Sequence, residues 1–256
     1  MTQEVAVAAK KTRKTKKTAK AKPAKSSSEA FVKFGPQALK FLKDLEKNND
    51  REWFKANQDR YEAHVREPAR AFIRAMEPKI EAISEQLVAD DRKVGGSLMR
   101  VHRDTRFSKD KTPYKTNVGI QFRHEQGKDV HAPGAYVHLG LDGCFLGFGM
   151  WHPDSPSLKA IREKIAAEPK RWTKIVESKK LTKFWRQGGE SLKRGPKGFD
   201  PEHPMIEQLK LKDHILVCDL SKKEATGPDL VKLATERFRA AKDHMQFLCE
   251  AIDVPF

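Results

Sequence analysis

The sequence predicts an α+β domain in which a central, mainly antiparallel sheet is flanked by N-terminal and C-terminal helices. Apolar residues recur at helical spacing over residues 36–87 and again over 155–252. Between these blocks, over 97–151, apolar residues alternate with polar residues or glycine, as in strands with one buried face. Helices and strands that occupy separate blocks of a sequence favour an α+β fold over a doubly wound one.

The N-terminal helices are indicated by their boundaries. Pro36 suits the first position of a helix, and leucines follow at helical spacing until Asn48 ends the run. Asp50 is expected to cap a second helix, because its carboxylate can accept a hydrogen bond from the first turn. The apolar stripe that follows is expected to be divided into segments at Pro68 and Pro78.

Four strands are predicted in the middle of the chain. Asp142 and Gly143 form the Asp-Gly pair typical of a two-residue hairpin turn, and they place Leu141 opposite Cys144. In this register His138 faces a glycine across the hairpin. The predicted strands are residues 97–104, 117–124, 134–141 and 144–151.

The hairpin has two contrasting faces. One is continuous hydrocarbon and must face the core, whereas the other combines glycines with aromatic rings. Because a glycine in a strand lets another molecule approach closely, the second face could form the floor of a ligand site. The alternatives are that the aromatic side chains cover the neighbouring glycines or that a helix packs there. The second face carries Tyr136, His138, Gly140, Phe145, Gly147, Gly149 and Trp151.

The rest of the chain is predicted to be mainly helical, with one further strand. Ser155 or Ser157 is expected to cap a helix, and apolar spacing indicates helical turns around Trp172 and Trp185. Glycines and prolines predict a loop that also carries a second basic cluster. The remaining predicted elements are this loop at 187–204, a short helix at 205–210, a strand at 214–220 and a long final helix from Asp229.

Charge and cysteine content restrict the class of protein. The formal net charge is +16, and residues 1–30 carry nine Lys and Arg against two Glu. Because this tail has no aromatic residue and no apolar period, we expect it to be disordered and to precede a single globular domain over 31–256. Three widely spaced cysteines predict free thiols in a cytoplasmic protein, and no apolar run is long enough to span a membrane.

The most informative stretch is residues 99–116, where a strand candidate leads into a strongly basic loop. Six cations against two anions lie between Arg100 and Lys115, so the loop should attract a phosphate- or carboxylate-bearing ligand. The alternative is a structural network in which Asp104 and Asp110 hold the neighbouring cations. The candidate ligand-binding residues are Arg103, Arg106, Lys109, Lys111, Tyr114, Lys115, Tyr136 and His138.

Two other classes of function stay open on the sequence. His102, Asp104 or His138 could act as a general acid or base beside the loop, as a hydrolase or transferase of an anionic substrate requires. The basic tail could bind nucleic acid through its phosphates without reading the base sequence. His102, Asp104, His138 and His152 do not show the spacing of a metal site, and no motif identifies a cofactor.

Four motifs that occur in order carry a resemblance to a known family. They are FLKDLEKNNDREWF at 41–54, MRVHRDTRFSKDKTPYKTN at 99–117, GAYVH at 134–138 with the GFGMW that follows it, and RGPKGFDPEHP at 194–204. Together they resemble the family of uncharacterised proteins catalogued as domain of unknown function 2461. The similarity covers residues 34–254 and leaves out the basic tail. It implies a single soluble domain, and it carries over no activity, cofactor or catalytic residue.

Overall fold

The chain folds around one six-stranded antiparallel sheet, which confirms the predicted α+β class with helices before and after the sheet. The computed structural model describes residues 31–127 and 131–256. The tail for which the sequence predicts disorder, residues 1–30, lies outside the described residues.

The N-terminal helices begin largely where the sequence predicts. They are α1 (Pro36–Lys47), α2 (Arg51–Ala56), α3 (Gln58–Tyr61), a π-helical turn (Glu62–Arg66) and α4 (Glu67–Glu81). Asp50 caps α2 as predicted, since its carboxylate accepts a hydrogen bond from the amide of Trp53 at 2.8 Å. Pro68 lies in the first turn of α4, where its missing amide removes no helical bond. Pro78 lies inside α4 without ending it, so the predicted division there is wrong; it falls in the last turn, where few helical bonds remain to be lost.

The strands form a sheet in which every neighbouring pair is antiparallel. They are β1 (Leu87–Val88), β2 (Asn117–His124), β3 (Gly134–Gly140), β4 (Cys144–Met150), β5 (Arg186–Gln187) and β6 (His214–Leu220). Their order across the sheet is β1-β2-β3-β4-β6-β5. The predicted strands at 117–124, 134–141, 144–151 and 214–220 are therefore confirmed to within a residue at either end.

The strand predicted over residues 97–104 is wrong. This segment runs beside β2 and makes two isolated bridges, from Leu98 to Ile120 and from His102 to Tyr114. Between the two bridges the pairing shifts by two residues, so the ladder of hydrogen bonds is interrupted. The segment is an irregular edge to the sheet rather than a full strand.

The predicted register of the β3–β4 hairpin is wrong by two residues. Cys144 pairs with Leu139 rather than with Leu141. The amide of Gly140 donates to the carbonyl of Gly143 at 3.0 Å, so the turn residues are Leu141 and Asp142 rather than Asp142 and Gly143. Because the shift is an even number of residues, every side chain stays on the face that the alternation predicts.

The C-terminal half supplies the second group of helices. They are α5 (Ser155–Ala167), α6 (Pro169–Val176), α7 (Lys179–Thr182), α8 (Ile206–Leu209), α9 (Lys222–Thr226), α10 (Leu230–Ala240) and α11 (Lys242–Ala251). Asp154 caps α5, in place of the predicted Ser155 or Ser157, because its carboxylate accepts the amide of Ser157 at 2.9 Å. Trp172 lies in α6 as predicted, whereas Trp185 follows α7.

The predicted long final helix is wrong, because the chain bends at Ala241 between α10 and α11. The bend, with φ −98° and ψ 4° at Ala241, lets the two halves pack against different neighbours. Helix α10 contacts α4, whereas α11 contacts α5, α6 and β4. One straight helix could not cover both ends of the core.

The two faces of the sheet have different surroundings. Ile120, Val137 and Phe148 on one face are buried in a core that they share with α1, α4, α10 and α11. We call the opposite face the open face, because its large side chains are only partly buried. On the open face these side chains are Tyr136, Phe145, Ile215 and Val217.

Two further features agree with the sequence. Cys144, Cys218 and Cys249 are buried free thiols. Within residues 31–127 and 131–256, no helix combines the length and the apolar character needed to cross a membrane.

Candidate functional site

A groove of about 490 Å³ runs across the open face of the sheet, and its volume falls in the range of small-molecule sites. Gly134 and Gly149 lie on its floor, and its walls consist mainly of apolar atoms. Tyr136 and Trp151 contribute aromatic rings to these walls. Further lining comes from Met99, Gln121, Ala132, Phe145, Gly189, Ile215 and Val217.

Close contacts leave no room for a side chain at two of the glycines near the groove. Gly149 has φ +133°, and a Cβ there would lie 2.1 Å from the carbonyl oxygen of His214. At Gly119 a Cβ would lie 2.8 Å from the hydroxyl oxygen of Tyr136 and 2.9 Å from the sulfur of Met99. Tyr136 therefore covers part of the glycine-rich face, as one sequence interpretation expects, while Gly134 and Gly149 stay on the floor of the groove.

Tyr136 and His138 are brought together beside the groove. The Tyr136 hydroxyl and Nδ1 of His138 are 3.1 Å apart, and the imidazole stacks on Phe145 with centroids 4.6 Å apart. Burial raises the pKa of Tyr136 to about 12, and burial lowers the pKa of His138 although Asp142 opposes it. Both groups are therefore neutral near pH 7, and the tautomer of the imidazole sets which of them donates in their hydrogen bond.

Most of the basic loop is an ion-pair network. Arg106 holds Asp104 through two parallel contacts, Nη2 to Oδ2 at 2.7 Å and Nε to Oδ1 at 3.0 Å. Arg103 donates to Asp110 and also to the hydroxyl of Thr112. These hydrogen bonds lower the pKa of Asp104 and of Asp110 to about 2. Asp104 is thus a weak base, which counts against it as the acid–base residue of a hydrolase.

The other predicted loop residues have varied surroundings. Tyr114 is buried in the core and stacks on Phe54 at 4.1 Å, while His102 is exposed beside it. Lys109 and Lys111 are exposed, and Lys111 donates to the carbonyl of residue 105 at 2.8 Å. Among the described residues of this segment, Met99 lines the groove and the predicted cations do not.

Lys115 differs from the other cations of the loop. It is half-buried, and its pKa is lowered, first by burial and then by the positive charge of Arg100. Within the described part of the chain, neither Lys115 nor Arg100 forms an ion pair with a carboxylate. Lys115 lies two residues before β2, at the end of the sheet where His138 stands. The charge of Arg100 also acts on Asp104, so Lys115 is the cation of this pair without a carboxylate beside it among the described residues.

A further contact, between His152 and Asp213, was not predicted from the sequence. The carboxylate of Asp213 is completely buried, and its Oδ1 lies 2.9 Å from Nδ1 of His152. The same oxygen accepts the amide of His152 at 2.7 Å, and Oδ2 accepts the amide of Glu190 at 2.9 Å. The two residues are 61 positions apart, so spacing could not have revealed the pair.

The three histidines that the sequence analysis considered as metal ligands lie against different aromatic rings. His102 lies beside Tyr114, His138 against Phe145 and His152 against Trp151. In the described ranges no group of three or more His, Cys, Asp or Glu side chains is arranged to hold a metal ion.

Comparison with known proteins places the chain in a family without assigning it an activity. No curated protein matches the sequence. A family model matches residues 37–247, which is most of the chain and includes both the sheet and the basic loop. The resemblance carried by the four motifs is thereby confirmed, and the chain belongs to the family described as conserved hypothetical protein (DUF2461).

Proposed function

We propose that the groove on the open face binds a small organic ligand that has a flat apolar body and a phosphate or carboxylate group. The observation that carries this proposal is the carbon-lined groove of about 490 Å³, with glycines on its floor and aromatic rings at its walls. Pockets of this size and lining commonly hold small molecules. The hydroxyl of Tyr136 supplies a polar group that can orient the ligand.

The anionic group is proposed because of Arg100 and Lys115. Burial and the positive charge of Arg100 make the charge of Lys115 less favourable, and a bound anion would relieve this repulsion. Arg103 and Arg106 already hold carboxylates and have less to gain from an anion. The structure thus favours a different pair of cations from the one that the arginine content of the loop suggests.

A thermal-shift assay on the full chain tests this binding. The compounds are nucleotides, sugar phosphates and aromatic carboxylates, and a ligand at about 100 times its Kd should stabilise the protein by about 2.7 kcal/mol. Val217→Phe narrows the groove, and its matched control is Val88→Phe, at an exposed valine on β1. We expect the shift to be lost in the first variant and kept in the second. Binding at the groove is refuted if no compound shifts the wild type or if both variants respond alike.

The position of the anionic group is tested with two double variants. Arg100→Gln with Lys115→Met removes the two proposed cations, while Arg103→Gln with Arg106→Gln removes the paired ones. For a compound that shifts the wild type, the first double variant should lose most of the shift and the second should keep it. The opposite result would return the anion site to the outer loop.

A further inference from the structure

We propose that His152 is a general acid–base residue, positioned by Asp213, and that the protein therefore catalyses proton transfer to or from a group bound beside it. The proposal concerns a second cavity, of about 520 Å³, and does not depend on ligand binding in the groove. The contacts of Asp213, the backbone of His152 and the position of its ring support the proposal.

Asp213 holds the imidazole at ion-pair distance. Nδ1 of His152 lies 2.9 Å from Oδ1 of Asp213, and an ionised carboxylate, which can only accept, favours a proton on that nitrogen. Nε2, on the opposite side of the ring, forms no hydrogen bond with a described residue. It is left as the nitrogen that can take up and release a proton. A carboxylate behind Nδ1 also stabilises the imidazolium when Nε2 is protonated.

The backbone of His152 is held in a conformation that costs free energy. Its φ is +47°, in the left-handed region that residues other than glycine rarely adopt. The contacts that hold it there are the amide of His152 to Asp213 at 2.7 Å and the ring of Trp151, with centroids 4.3 Å apart. Residues held in strained conformations are concentrated at functional sites. A purely structural role would be met by asparagine, which adopts this conformation more readily and could also bond to the carboxylate.

The ring of His152 is accessible to a substrate. Its side chain is 47% exposed and lines the second cavity, whose wall also contains His131, Asp154 and Ser157. Apolar residues, among them Met150 and Ile252, form the rest of the wall. The cavity therefore offers a proton-transfer group next to both polar and apolar surface, and the reaction we propose for it is the hydrolysis of an ester.

In the proposed reaction Nε2 removes a proton from a water molecule while the water oxygen forms a bond to the carbonyl carbon of an ester. The bond from that carbon to the leaving oxygen then breaks, and the leaving oxygen takes the proton back from Nε2. The products are a carboxylic acid and an alcohol, and the imidazole returns to its initial state. No metal ion or redox cofactor takes part in this step.

The reactivity of Nε2 can be measured with diethyl pyrocarbonate, an acyl donor that also probes this chemistry. Nε2 attacks one carbonyl carbon, the ring gains an ethoxycarbonyl group, and carbon dioxide and ethanol are released. Labelling is followed by peptide mass spectrometry at about pH 8, where unperturbed imidazoles are neutral. Although His102 is also exposed, we expect His152 to react about tenfold faster, since a carboxylate lies beside its Nδ1. Equal or slower labelling of His152 would overturn the proposal.

Asp213→Asn tests the positioning role. An amide at this position can donate to Nδ1, which moves the ring proton to Nε2 and blocks its lone pair, so labelling of His152 should fall about tenfold or more. Labelling of His102 should not change. Circular dichroism and the unfolding temperature show whether the variant folds. If it does not fold, the ratio of the labelling rates of His152 and His102 in the wild type is the test of the proposal. A folded variant in which His152 reacts as in the wild type would contradict the role of Asp213.

The catalytic claim is tested separately with nitrophenyl acetate. We expect wild-type hydrolysis above the rate of the free buffer, and we expect His152→Asn to lose it while His102→Gln keeps it. His152→Asn retains a residue that tolerates the left-handed backbone. Hydrolysis that survives in His152→Asn, or that is absent from the wild type, would refute ester hydrolysis.

Discussion

The acid stability of this protein should be controlled by two histidines in its core. His214 in β6 and His244 in α11 are completely buried, and none of their ring nitrogens has a hydrogen-bond partner among the residues that the structure describes. Both pack against Trp172, at 6.0 Å and 5.3 Å between ring centroids. The pKa of each histidine is lowered to about 3, by burial and, for His214, also by the charges of His244 and Arg162.

The sign of the effect follows from the protons bound in each state. Below about pH 6.5 the unfolded chain protonates both histidines, whereas the folded chain keeps them neutral until about pH 3. The unfolded state then binds more protons than the folded state, so the free energy of unfolding falls as the pH falls across this window. Above the window neither state binds these protons, and the free energy of unfolding keeps its full value. Each histidine contributes about 1.4 kcal/mol per pH unit, so lowering the pH from about 6.5 to about 5 should remove roughly 2 kcal/mol per histidine.

Urea unfolding at several pH values between about 5 and 8 tests this prediction. The double variant His214→Leu, His244→Leu should show a pH dependence that is smaller by about 4 kcal/mol over this range. At pH 8 the double variant should be about as stable as the wild type, because it removes polar atoms that have no partner. His102→Gln, at an exposed histidine, should keep the wild-type dependence. The reasoning is refuted if the double variant and the wild type lose the same free energy on acidification.

Three further predictions concern stability and reactivity. Asp50→Ala should destabilise the fold by about 1 kcal/mol in urea unfolding, because the amide of Trp53 loses its capping acceptor; an unchanged midpoint would argue that the cap is unimportant. Arg106→Gln should leave the unfolding midpoint unchanged, since its pair with Asp104 is exposed, and a clear loss would show that this pair supports the loop. The three buried thiols should react with a thiol reagent at the rate of unfolding rather than faster, and burial raises the pKa of Cys249 to about 12.

Patterns within short stretches of sequence predicted those parts of the fold that depend on neighbouring residues alone. Alternation assigned the faces of β3 and β4 correctly even though the predicted register was wrong, because a shift of two residues leaves each side chain on its face. The register itself depended on the turn, which is made by Leu141 and Asp142 rather than by Asp142 and Gly143. No proline or glycine marks the bend at Ala241. The bend arises because α10 and α11 pack against different helices. Such features follow from tertiary packing, which no short window of sequence contains.

The candidate sites show the same limit more clearly. The count of charges in the loop pointed to Arg103 and Arg106 as ligand-binding residues. In the structure each of them pairs with an aspartate nearby in the sequence, as the alternative of a structural network predicts. The positive charge that lacks a counter-ion belongs to Lys115, which burial distinguishes from its neighbours. His152 acquires its carboxylate from a loop 61 residues away. The composition of a segment indicates which chemistry is available, whereas its reactivity depends on burial and on contacts from distant segments. The histidine held by a buried carboxylate is therefore a stronger candidate for catalysis than any residue of the basic loop.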